Sequence, residues 1–143
     1  MGKISMKAVV IGALVDIFAS VLLFLPAVLY LTSTLMHQGL TPAQVDSARL
    51  ATLYGNPVYV ALGFLSSMLG SLLAGYVAAR IAKHDEVFNA LLMSIFSNGM
   101  SLMLFKSSGL APLWQELLNT LLCFGVAALG GYLRLRQVRG KKA

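Results

Sequence analysis

Few side chains in this sequence could act chemically on another molecule, and Asp16 leads them. It interrupts an otherwise apolar run from about Ala8 to Leu31. A carboxyl group held within hydrocarbon costs about 2.5–3.5 kcal/mol on insertion scales and marks a functional position by default. A second group is Ser94, Ser97, Asn98 and Ser101. Spacings of three, four and seven put them on one face of a helix. That stripe could be packing, with Asn98 bonding between helices, or a polar path for a substrate. The histidines, His37 and His84, fall at opposite ends of their flanking apolar segments, so they do not share a metal. Cys123 is the lone cysteine. In an apolar run it reads as an inert packing residue. No nucleophile elbow, phosphate loop, dinucleotide fingerprint or zinc-protease motif is present. No catalytic residue, metal site or cofactor is expected.

The elements that carry these residues follow from composition. The chain has 143 residues, 58% hydrophobic and 11% charged. Soluble domains carry about 25% charged residues, so too few charges are available to cover a water-exposed surface. Four stretches reach the roughly 20 apolar residues a bilayer demands: about 8–31, 58–82, 87–105 and 113–133. Backbone groups in lipid must bond internally, so these are expected as helices. The expected fold is an all-α integral membrane four-helix bundle forming a single domain, 1–143. Pro57 and Pro112 suit helix starts. Asp85 and Glu86 suit the positive end of the third span and Arg80 and Lys83 the negative end of the second. Gly109 falls in the turn before the fourth span. Pro26 predicts a kink in the first. The long first connection contains Thr41-Pro42-Ala43-Gln44, a capping-box pattern, which predicts a short outer helix over 42–54.

Basic residues set the orientation, because they favour the cytoplasmic side. Lys3, Lys7, Arg80, Lys83 and the tail 134–143 with Arg134, Arg136, Arg139, Lys141 and Lys142 fall on one side. Only Arg49 and Lys106 fall on the other. Both termini are therefore expected in the cytoplasm. The net charge of +6 reports topology and lipid contact, with no nucleic-acid partner implied. Tyr30, Tyr54, Tyr59 and Trp114 fall near the outer face, and Tyr76 and Tyr132 near the inner one, as an interfacial belt would place them.

Span depth leaves Asp16 open. Starting at Ala8, Asp16 lies about 12 Å along the helix, near mid-membrane. A span over 17–36 would leave it at the interface. Arg80 is its expected partner, from an antiparallel neighbour, in a mostly structural pair. Gly63, Ser67, Gly70 and Gly75 in the second span, and Cys123, Ala127 and Gly131 in the fourth, form small-residue faces for close helix packing. These faces could serve the bundle, a parallel homo-oligomer or another membrane protein. Gly75-Tyr76-x3-Arg80 returns as Gly131-Tyr132-x3-Arg136, which convergence explains more easily than duplication.

The stretch Gly75-Tyr76-Val77-Ala78-Ala79-Arg80, followed by Asp85-Glu86 and Ala90-Leu91-Leu92, resembles small four-span bacterial inner-membrane proteins without an assigned function. That resemblance implies a bacterial inner membrane. Small multidrug resistance transporters also have four spans and an acidic residue in the first, but their Glu-centred pattern is absent and they lack a long first connection. The Gly-rich Arg motif and phenylalanine boxes of fluoride channels are also absent. Two functions remain expected. The first is a non-enzymatic accessory or scaffold subunit, or a self-associating bundle. The alternative is a small transporter or channel with Asp16 as coupling carboxylate and the Ser94–Ser101 stripe along its path.

Overall fold

A computed structural model of the protein describes residues 4–105 and 112–140. Lys3, Lys106, Gly109, Lys141 and Lys142 lie outside them. Five helices make up the regular structure: α1 (Met6–His37), α2 (Pro42–Gly55), α3 (Pro57–Ala82), α4 (Glu86–Phe105) and α5 (Leu113–Gly140). Local chemistry sets most of their ends. Ser5 Oγ accepts from the Ala8 amide at α1. The Thr41 amide donates to Gln44 Oε1 at 2.9 Å at α2. Asn56 Oδ1 accepts from the Val58 amide at 2.9 Å at α3, with Pro57 as its first residue. Lys83 closes α3 in the left-handed region at φ 58°.

Two helices outrun the spans read from sequence. α1 continues through Thr32, Ser33 and Thr34, whose hydroxyls donate back to carbonyls of Val28 and Tyr30 at 2.8–2.9 Å. Such back-bonding lets polar residues continue a helix. α1 also passes through Pro26 as one helix. Its last turns carry α2, through Leu31 and Leu35 packed on Val45. α5 takes the basic segment with it as far as Gly140.

Among the described residues three helices, α1, α3 and α5, are long and apolar enough to cross a membrane. This corrects the expectation of four. α4 has 20 residues, but Asn89, Ser94, Ser97, Asn98 and Ser101 dilute its apolar content.

Contacts fix the arrangement. Gly12 faces Met93 of α4 and Ala78 of α3. Ser5 and Asp16 bond to Asn89 and Ser97 of α4, so α1 and α4 run in parallel. Asp16 also bonds to Ser71, so α3 runs antiparallel to both. Gly75 lies on the Ala127 backbone, and Gly131 on Glu86, Val87 and Ala90. α5 therefore runs with α3 and against α4. Helices α3 and α4 touch each other and both neighbours, whereas α1 and α5 do not touch among the described residues. The cross-section is a rhombus with α1 and α5 at its far corners.

Small residues dominate the interior. Ala13, Ala74, Ala78, Met93 and Ala127 form the central cluster. Large apolar residues point outward, Phe18 at 72% and Leu121 at 67% exposure. A soluble domain buries its large apolar residues. Small residues inside and Leu and Phe outside is the pattern of helices packed in lipid. Gly70 and Gly75 show why: an added Cβ would strike Ser20 and the Asp16 carbonyl at the first, and the Ala127 backbone at the second.

Candidate functional site: a polar cavity ending at Asp16

The five helices enclose a space beside the α1–α3–α4 junction at Asp16. It is a cavity of about 460 Å³, lined by all five helices. Asp16, Ser71 and Ser97 line one end, and Tyr54, Tyr59 and Glu116 the other. Phe24 and Phe64 lie between them along the helices.

Asp16 is only 6% exposed. Its Oδ1 accepts from Ser71 Oγ at 2.9 Å and its Oδ2 from Ser97 Oγ at 2.6 Å. A buried carboxyl group is costly unless hydrogen-bonded, and each oxygen here has one hydroxyl donor. Asp16 lies ten residues from the start of α1, Ser97 eleven from the start of α4, and Ser71 eleven from the end of α3. At 1.5 Å per residue these are all about 15 Å from the same end of the bundle. The three side chains meet at mid-height.

This register corrects the pairing expected with Arg80. Arg80 is exposed near the end of α3, nine residues and about 13 Å from Ser71. Asp16 bonds instead to hydroxyls on two different helices. The stripe of α4 divides by depth. Ser97, Asn98 and Ser101 line the cavity, while Ser94 is fully buried. Asn98 Nδ2 donates to the Ser94 carbonyl at 2.8 Å and to Ser94 Oγ at 3.2 Å. Its amide nitrogen is thus bonded within α4.

Of the small residues, Gly70, Gly75, Ala127 and Gly131 make the close contacts expected of them. Gly63 lies beside the Phe24 ring, and Ser67 lines the cavity. Cys123 also lines it, with its thiol 3.9 Å from Asn119 Oδ1. Glu116, Asn119 and Cys123 fall at spacings of three and four, forming a polar line down α5 toward the cavity floor. Nothing in the sequence patterns gave Glu116, Asn119 or Ser71 this role, although the α5 spacing was an available signal. Tyr54 and Tyr59, expected only at the interface, line the cavity at its α2 end.

Asn89 is a further residue that spacing did not single out. Fully buried, it accepts from the Ser5 amide at 2.9 Å and donates to the carbonyls of His84 and Asp85. It ties the start of α1 to the turn before α4. His37 is exposed at the other end of the bundle from His84. Among the described residues no group of three His, Cys, Asp or Glu could hold a metal. Comparison with protein-family models, curated proteins and solved structures gives no match.

Proposed function

We propose that this chain is a small non-enzymatic transporter or channel of a bacterial inner membrane, whose cargo enters the cavity that ends on Asp16. One observation carries the reading: a 460 Å³ cavity with an ionisable group at its mid-bundle end and polar side chains from α3, α4 and α5 along its length. Pockets of a few hundred Å³ with a few convergent polar groups are the usual form of a small-molecule site. Ionisable groups at mid-membrane depth mark ion and substrate pathways.

In this reading α4 is a fourth crossing, with its serines and Asn98 turned to the cavity and to α1 and α3 instead of lipid. The excess of basic residues at one end puts both termini in the cytoplasm and the α2 end outside. Any homo-oligomer would then be parallel. The scaffold reading rested on small-residue faces, and close packing inside the bundle accounts for most of them.

The test is proteoliposome flux. With a pH gradient imposed, the wild-type chain collapses it and Asp16→Asn, which retains the shape and removes the ionisable group, does not. Equal rates for the two proteins, both verified as folded, contradict the reading.

A further inference from the structure

We infer that the cavity selects an organic cation with an apolar body, such as a substituted amine or quaternary ammonium. The inference deepens the transport reading and rests on it for an accessible cavity. Its first support is charge. Asp16 and Glu116 line the cavity, and no Lys, Arg or His lines it among the described residues. A cavity with two carboxyl groups, and no basic partner among the described residues, favours a positive guest over a neutral or negative one.

Aromatic character is the second support. Phe24 of α1, Tyr54 of α2, and Tyr59 and Phe64 of α3 line the same space. Aromatic faces attract cations, more strongly where water is excluded. The polar groups are graded along the axis. Glu116 stands near the mouth, seven residues and about 10 Å from Cys123 on α5. An entering cation would therefore meet a carboxyl group at the mouth, aromatic walls, and then Asp16.

Size and ligand type are the third support. A hard metal ion takes six or more oxygen ligands in a tight shell. Here no group of three His, Cys, Asp or Glu could surround an ion among the described residues, and the space is far larger than one ion. A volume of 460 Å³ with apolar walls suits a compact organic molecule.

The experiment is calorimetric binding to the full chain in lipid nanodiscs, using three probes of one shape class. Benzyltrimethylammonium is the cation, neopentylbenzene its neutral counterpart and benzylsulfonate the anion. The cation is expected to bind about tenfold or more tighter than either, the size of a desolvated cation–aromatic contact plus a carboxyl partner. Asp16→Asn should weaken it about tenfold. Phe64→Leu, which keeps apolar bulk, should weaken it about threefold. Equal binding of the three probes, tighter binding of the anion or neutral probe, or no cation binding at millimolar concentration overturns the inference. Cation affinity unchanged in both variants also overturns it. If wild-type liposomes still collapse the pH gradient in any of these cases, the transport reading stands and only the cargo class falls.

Discussion

Asp16 shows how far a single residue constrains this protein. Its two hydroxyl partners come from α3 and α4, so the carboxyl group joins three helices at one point. Removing one donor leaves part of a buried polar group unsatisfied, at about 1–3 kcal/mol. Ser97→Ala should therefore lower stability by that amount in detergent unfolding, whereas Ser101→Ala should change it little, as Ser101 makes no bond to Asp16. An unchanged midpoint for Ser97→Ala would remove the structural part of this role. Asn89→Ala should cost a similar amount, about 1–3 kcal/mol, because it removes the bonds to the Ser5 amide and the His84 carbonyl, while the Asp85 carbonyl keeps the Asn89 backbone amide. Hydrogen exchange at the start of α1 would report it. The sequence singled out Asp16 because a charge in an apolar run is visible. It misassigned the partner because register between helices is set by packing, not by one-dimensional depth.

At the scale of elements, glycines set the packing distances. Gly75 lies against the Ala127 backbone, which cannot move aside as a side chain could. Gly75→Leu should cost about 3 kcal/mol or more, at the upper end of overpacking effects. Gly125→Leu, in open space on the same pair of helices, should cost nothing measurable. Comparable losses for both would mean that α3 and α5 pack otherwise. α2 depends on Val45, 2% exposed between Leu31 and Leu35. Val45→Ala should loosen α2 by about 1–2 kcal/mol, seen as faster exchange in α2 alone. The Thr41–Gln44 pattern suffices to announce α2, because a capping box acts within four residues. The end of α1 was less legible, since Thr32-Ser33-Thr34 looks like a loop until each hydroxyl is seen bonded back to its own helix.

For the molecule as a whole, helical class and apolar exterior were legible from composition, and the small-residue interior from small-xxx-small spacing. The cavity was not. It is lined by residues of all five helices, and a space shared among five elements is a property of topology that no local pattern encodes. α4 shows the same limit: its polar residues lower its hydropathy, and only the assembled bundle shows that they face inward. The basic excess predicts that reporters fused to either terminus stay cytoplasmic, and a periplasmic signal from either would reverse the assigned mouth of the cavity.

The transport reading requires that water and solutes reach the interior from the α2 end and stop near Asp16. Thiol labelling tests it most directly. In a Cys123→Ser background, Ser67→Cys places a thiol in the cavity wall and Gly125→Cys places one on the open outer face of α5. In sealed vesicles with the α2 end outward, a membrane-impermeant thiol reagent is predicted to modify Ser67→Cys and spare Gly125→Cys. A Ser67→Cys protein that is folded yet resists the reagent would contradict the account.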